Sequence, residues 1–96
     1  MPKAYWIAHV EVTDPEAYGR YAALATDAIA KHGGQFLARA TRYVTLEGAE
    51  RKRHVVALFP SLEAAVACYN SPEYQAAMEH ARGAAERDLI LVEASE

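Results

Sequence analysis

Hydrophobic residues along this chain follow two spacings, and the change from one to the other marks the expected elements. Segments rich in aromatic and β-branched residues, in which alternate side chains share a face, predict strands over 4–12, 35–46, 53–59 and 89–94. A spacing of three to four residues predicts a helix between the first two strands. This helix begins at Asp14-Pro15, where aspartate can cap and proline suits the first turn, and it ends at Gly33-Gly34.

A second helical pattern separates the last two strands. It begins after Ser61, is interrupted at Asn70-Ser71-Pro72 and restarts there, and we expect it to end at Asp88. All the elements fall within one expected domain, residues 1–96. Two right-handed crossovers put both helices on one side of the sheet. The order therefore predicts an α+β fold, the ferredoxin-like βαββαβ plait, with a four-stranded antiparallel sheet in the order 4-1-3-2.

Helices on one side leave the other face of the sheet uncovered. Alternation assigns to the helix face Ala4, Trp6, Ala8, Val10, Phe36, Ala38, Ala40, Val44, Val55, Ala57, Phe59, Ile90 and Val92. It assigns to the opposite face Tyr5, Ile7, His9, Glu11, Leu37, Arg39, Thr41, Tyr43, His54, Val56, Leu58, Leu89, Leu91 and Glu93. The opposite face holds too many large apolar side chains to remain in water. We therefore expect a homodimer that packs sheet against sheet as a dimeric α/β barrel, with a small-molecule pocket where the polar groups gather.

Composition excludes several classes of partner. The formal net charge is −3, and the one basic run is Arg51-Lys52-Arg53, so we expect no nucleic-acid partner. No apolar run approaches the ~18 residues that a membrane span needs, so we expect no membrane partner. The lone Cys68 excludes an internal disulfide and fits a reducing compartment, which favours a cytoplasmic protein.

Two histidines on the face opposite the helices are the candidates for acid–base catalysis. His9 and His54 fall on adjacent antiparallel strands, and Tyr43 falls nearly opposite His54 across the predicted hairpin. In register, the three side chains would form one row with neighbouring Cβ atoms ~5 Å apart. Histidine exchanges protons near neutral pH and tyrosine donates to an oxyanion, so the row suits acid–base chemistry; the alternative is a set of hydrogen-bonded interface residues. We expect no metal, because two imidazoles without a carboxylate or thiolate are an incomplete ligand set.

The other candidates on that face are ligand-binding residues. Arg39 would suit a carboxylate or enolate inside a cavity, or would pair with an acidic residue across the dimer. Tyr43, Tyr5 and Thr41 are expected to line the same pocket. We expect the site to need no cofactor.

A set of short motifs spread over the chain resembles the family named domain of unknown function 1330. The motifs are Tyr5-Trp6-Ile7-Ala8, Val12-Thr13-Asp14-Pro15-Glu16-Ala17-Tyr18 with Tyr21, Gly33-Gly34-Gln35-Phe36-Leu37 with Arg39, Leu46-Glu47-Gly48, Phe59-Pro60-Ser61, Tyr69-Asn70-Ser71-Pro72-Glu73-Tyr74-Gln75, Arg82 and Asp88. The resemblance implies the dimeric α/β-barrel superfamily, in which two ferredoxin-like protomers pair their sheets. Members of that superfamily include small monooxygenases, isomerases, dehalogenating enzymes and non-catalytic proteins, so the resemblance implies a fold rather than a reaction.

The chain departs from the family pattern in two places. Ala40-Thr41 stands where the family usually has a glycine pair after the arginine, and Leu58 stands where an acidic residue usually precedes Phe59-Pro60. A proton-transfer role for that acid would be missing here. The sequence therefore leaves two functions open: an enzyme that acts on a small metabolite without a cofactor, or a non-catalytic ligand-binding or structural dimer.

Overall fold

Four antiparallel strands form one sheet, and the helices pack on one of its faces. The computed structural model describes residues 2–95. Its elements are β1 (Ala4–Val12), α1 (Pro15–Lys31), β2 (Gln35–Arg39), β3 (Arg53–Phe59), α2 (Leu62–Asn70), α3 (Pro72–Ala81) and β4 (Ala85–Glu93). The strands lie in the order β2-β3-β1-β4, which is the predicted order read from the other edge. The predicted α+β fold with a four-stranded antiparallel sheet is confirmed.

Local chemistry explains where the helices begin and end. Asp14 accepts a hydrogen bond from the backbone N–H of Ala17 at 3.3 Å, which caps α1 as predicted. Ser71 divides the second helical segment because it serves both helices there. Its hydroxyl donates to the carbonyl of Cys68 at 2.7 Å and accepts from the N–H of Tyr74 at 3.1 Å. The same side chain therefore ends α2 and caps α3.

The core lies between the sheet and the helices and is rich in aromatic rings. Trp6 is 1% exposed, and its ring lies 5.5 Å from Phe59 and 5.1 Å from Tyr74, measured between centroids. The residues that alternation assigned to the helix face of β1 and β3 are all buried. Within residues 2–95, no helix is both long enough and apolar enough to cross a membrane.

The last strand begins four residues earlier than predicted. Helix α3 ends at Ala81, and Gly83 adopts φ 74°, a left-handed conformation that suits glycine after a helix. Strand β4 then starts at Ala85. Asp88, which was predicted to end the helix, lies within the strand and pairs with His9 of β1.

The predicted faces of β4 were also wrong. Leu91 pairs with Trp6 of β1, and Leu89 and Leu91 pack against the core. Ile90 is 57% exposed and Val92 is 41% exposed, on the face away from the helices. The pairing with β1 decides this, because a residue must share the face of its cross-strand partner.

Strand β2 is shorter than predicted and contains a β-bulge. It ends at Arg39 rather than at residue 46, and Ala40 follows with φ 56°. Phe36 pairs with Ala57, but Ala38 pairs with Val56, so one residue between them has no partner. A bulge of one residue reverses the facing of everything after it. Arg39 therefore lies on the helix face and Ala38 on the other, the reverse of the prediction.

The predicted helix-face positions of Ala40 and Val44 do not hold either. Segment 40–52 has no regular strand, so its side chains do not continue the alternation of β2. Ala40 and Val44, which were assigned to the helix face, are both exposed, Val44 at 80%.

Candidate functional site

The uncovered face of the sheet, called the open face below, carries a pair of histidines in direct contact. His9 on β1 and His54 on β3 are cross-strand partners, and their Nδ1 atoms lie 2.8 Å apart. The ring of Tyr43 lies 4.4 Å from the His54 ring, measured between centroids. The structure thus brings the three residues into the predicted row, although Tyr43 comes from segment 40–52 and not from a strand.

The hydrogen bonds assign a proton arrangement to this pair. His54 Nε2 lies 2.9 Å from the backbone carbonyl of Arg51, which can only accept, so Nε2 must carry a proton. In neutral His54, Nδ1 is then the acceptor, and His9 donates its Nδ1–H to it. His9 Nε2 keeps its lone pair. The pair therefore presents one basic nitrogen, supported by a second ring and a backbone carbonyl.

Charged residues adjoin the histidine pair on the β4 side. Asp88 is the partner of His9 in the β1–β4 ladder, and its Oδ2 lies 3.5 Å from Arg51 Nη2. Arg51 also lies 3.8 Å from Glu86. Arg51 and Asp88, together with His9, His54 and Tyr43, border a cleft against segment 40–52. The sequence prediction missed Asp88, although Gly83 offered the signal for an earlier strand start.

The other predicted ligand-binding residues are not gathered at the histidine pair. The Tyr43 hydroxyl donates to Glu50 Oε2 at 3.0 Å, and this hydrogen bond raises the pKa of Tyr43. Its proton is thus already engaged. Tyr5 lies on the open face between Leu58 and Val92, four residues before His9 along β1. Thr41 is exposed and lines a separate groove within segment 40–52.

Arg39 lies on the opposite side of the sheet from the histidines, so its predicted position was wrong. Its Nη1 donates to Thr26 Oγ1 of α1 at 2.9 Å, and its guanidinium lies 4.1 Å from the centre of the Phe36 ring. The bulge in β2 is the cause. The open face has no contribution from this side chain, and the predicted anion clamp beside the histidines is absent from it.

A second recess, called the α1 hollow below, lies between α1 and the sheet. Arg39, Arg53 and Arg87 line it together with Tyr21 and apolar side chains. The phenols of Tyr21 and Tyr74 lie 2.6 Å apart, and Arg87 Nη2 donates to both, at 2.9 and 3.0 Å. Burial raises the pKa of Tyr21 and of Tyr74, so both remain protonated at neutral pH.

The sequence prediction did not find the two inner arginines of this hollow. Arg53 was predicted as the first residue of the third strand and the end of the basic run, and Arg87 was placed in the helix that was predicted to end at Asp88; neither was assigned to a site. Among residues 2–95, no group of three His, Cys, Asp or Glu side chains is arranged to bind a metal ion.

Comparison with known proteins identifies the family. The family model described as a domain of unknown function, DUF1330, matches residues 3–95. The chain belongs to the DUF1330 family. The search of curated proteins found no match.

Solved structures resemble this DUF1330 domain in fold. A protein of unknown function from Rhodopseudomonas palustris is 21% identical, with a TM-score of 0.79, over 99% of this chain and 84% of the other. SnoaB, a cofactor-independent oxygenase from Streptomyces nogalater, is 12% identical, with a TM-score of 0.71, over 100% of this chain and 96% of SnoaB. A dimeric protein of unknown function with a ferredoxin-like fold, from Bacteroides fragilis, is 16% identical, with a TM-score of 0.58, over 96% of each chain. At these identities the likeness shows the fold alone, and it confirms the ferredoxin-like architecture.

Proposed function

We propose that this DUF1330 protein is a homodimer that binds a small metabolite at the open face and removes a proton from it without a cofactor. The observation that carries the proposal is the 2.8 Å contact between His9 and His54, with His54 fixed by the carbonyl of Arg51. A base held by a second group in one tautomer is a recurring arrangement in proton-transfer enzymes. SnoaB supports the proposal, because a protein of similar fold is described as a cofactor-independent oxygenase.

The distribution of apolar residues on the open face supports the proposed dimer. Ile7 lies between Val56 and Ile90 in one cross-strand row, and Ile90 is largely exposed. Two further apolar residues are exposed, Val92 on β4 and Leu37 on the edge strand β2. A two-fold partner would cover these rows and leave the histidine cleft as a lined space at the edge of the interface. The protein of similar fold from Bacteroides fragilis, which is described as dimeric, supports the association of two chains.

In the proposed reaction His9 Nε2 takes a proton from an acidic C–H or O–H of the ligand, and the electron pair stays on the ligand. His9 then becomes an imidazolium whose Nδ1–H is still donated to His54. Because His54 donates its own Nε2–H to Arg51, the acceptor nitrogen stays turned toward His9. Protonation of both rings would set two Nδ1–H donors against each other, so the pair is suited to hold one extra proton and not two.

Isotope exchange tests this step without knowledge of the full reaction. Small carbonyl compounds whose α C–H exchanges slowly in buffer are incubated with the protein in D2O, and deuterium uptake is followed by mass spectrometry. We expect accelerated exchange for part of the panel, a large loss in His9→Gln, and no loss in His80→Gln on α3. Equal exchange in the wild type and His9→Gln would contradict the role of His9.

The second candidate function is a ligand-binding or structural dimer with no reaction of its own. Two observations favour it: Tyr43 already donates to Glu50, and Arg39 lies on the other face. The histidine pair consequently has no free phenol or guanidinium from these two residues for an oxyanion. An intact dimer that accelerates exchange of none of the compounds would favour this candidate.

A further inference from the structure

Three guanidinium groups converge in the α1 hollow without an acidic partner. Arg39 comes from β2, Arg53 from β3 and Arg87 from β4, so three strands direct positive charge to one place. Among residues 2–95, none of the three forms an ion pair with a carboxylate. They contact aromatic rings instead, with Arg53 5.6 Å from the Tyr18 ring centre and Arg87 4.7 Å from that of Tyr21.

Such a cluster is costly unless an anion completes it. The chain as a whole carries a net charge of −3, so acidic side chains are plentiful elsewhere on the protein. The Nε atoms of Arg53 and Arg87 are nevertheless buried with no hydrogen-bond partner among the described residues. Arg53 and Arg87 are only partly buried, but buried donors such as their Nε atoms are normally satisfied in native proteins. The hollow therefore has donors and charge left over for a negatively charged ligand.

The tyrosines add a neutral donor that points to the same conclusion. Tyr74 is 0% exposed, and its hydroxyl contacts the hydroxyl of Tyr21 and Arg87. The two hydroxyls share one hydrogen bond in which either can be the donor, and Arg87 only donates, so one of the two phenol protons has no acceptor among residues 2–95. Where Tyr74 is the donor, that proton belongs to Tyr21. Because Tyr21 lines the hollow, an acceptor bound there would receive this proton.

The size and walls of the hollow restrict the ligand. Its cavity of about 30 Å³ corresponds to one or two water-sized positions, which suits a carboxylate and not a whole metabolite. Apart from Thr26 and the tyrosines, the remaining walls are apolar, with Trp6, Ala25, Ile29 and Val55 among them. Of the described lining residues, Arg39 alone is exposed, so the hollow opens toward the edge strand β2.

We propose that the α1 hollow binds the carboxylate of a small organic acid, with Arg53 and Arg87 as charge partners, Tyr21 as neutral donor and Arg39 at the entrance. An apolar or aromatic body of the ligand would extend past Phe36 and Thr26. This site lies on the opposite face of the sheet from the histidine pair, and it does not depend on the function proposed there.

Calorimetric titration in low-chloride buffer tests the proposal with benzoate as the probe. Benzamide serves as its neutral counterpart, and inorganic phosphate as an anion without an apolar body. We expect benzoate to bind, benzamide not to bind, and phosphate to bind more weakly than benzoate. Loss of a charge-assisted hydrogen bond in Arg53→Met should weaken benzoate binding about 10- to 100-fold, and Arg53→Lys should restore part of it.

Matched controls separate this site from the rest of the molecule. Arg20→Met and Arg82→Met each remove an exposed arginine that lies outside the hollow, on α1 and after α3; both should bind benzoate as the wild type does. Thermal melts establish that each variant is folded. The proposal is overturned if folded wild-type protein binds no benzoate, if benzamide binds equally, if phosphate binds more tightly, or if Arg53→Met and Arg20→Met behave alike.

Discussion

Truncation of Ile90 to alanine is expected to weaken the proposed dimer while leaving the protomer folded. Ile90 lies on the open face of β4 and is 57% exposed, next to Ile7 in the same cross-strand row. Its neighbour Leu89 faces the opposite way and packs against the core. The two residues have the same size and adjacent positions, so they separate the effect of the interface from the effect of the core.

The size of the effect follows from the exposed fraction of Ile90. Burying a whole isoleucine side chain stabilises by about 1.5–3 kcal/mol, and roughly half of that remains to be gained where 57% is exposed. A two-fold interface uses the residue twice. Because alanine keeps one methyl group, the change is about 1–2.5 kcal/mol per dimer, which weakens the dimer about 5- to 70-fold.

Sedimentation velocity over a dilution series measures the dimer dissociation constant, and urea unfolding measures the stability of the protomer. We expect Ile90→Ala to shift dissociation to higher protein concentration. Leu89→Ala should instead lower the unfolding midpoint with a much smaller effect on dissociation. The reasoning is refuted if the wild type sediments as a single chain at micromolar concentration, or if Ile90→Ala and the wild type dissociate alike.

Four further predictions concern stability, each measured by urea unfolding. Gly34→Ala should destabilise by about 1–3 kcal/mol, because a Cβ there would lie 2.5 Å from Ile29 Cγ2; a neutral result would contradict the packing. Ala40→Gly should stabilise by about 0.5–1 kcal/mol, since Ala40 adopts φ 56°, and a loss of stability would count against that backbone. Ser71→Ala should lower the free energy of unfolding by about 1–2 kcal/mol, because α3 loses its cap. An unchanged free energy of unfolding would contradict this prediction. Burial raises the pKa of the Cys68 thiol to about 11, so the folded protein favours the neutral thiol. The stabilisation from this shift is therefore fully present below about pH 9, the pKa in the unfolded chain. On the order of 2 kcal/mol should be lost as the pH rises toward 11, and Cys68→Ala should lack that part of the decline.

The sequence predicted the parts of the fold in which polar residues indicate the ends of helices or the outward-facing positions of strands. The start of α1 is indicated by Asp14 and Pro15, and the break before α3 by Ser71 and Pro72. These signals are reliable because a cap depends on neighbouring residues in the sequence. Strands β1 and β3 were assigned to the correct faces, and His9 and His54 share a face in the structure as predicted. For these strands, residue-by-residue pairing makes the alternation reliable.

Strand β4 shows where this reasoning loses information. Residues 89–92 are all apolar, so their alternation carries no sign of which side faces the core. Only the ladder with β1 decides, and that contact is not local in sequence. Because β4 was predicted to start too late, Arg87 was assigned to a helix. It lies in the sheet beneath α1, where it contacts Tyr21 and Tyr74.

Arg39 shows how one unpaired residue in a strand moves a charged side chain from one face of the sheet to the other. Counting by twos assumes that each residue of β2 opposes one residue of β3, and the bulge before Ala38 breaks that assumption. Ala40, where the family resemblance implies a glycine, signals the end of β2 and not the bulge. That departure bears on backbone conformation more than on chemistry, because the residue adopts a positive φ and β2 ends just before it. With Arg39 on the helix face, the candidate groups divide between the two faces of the sheet: the histidine pair lies on the open face, and the arginine cluster lines the α1 hollow.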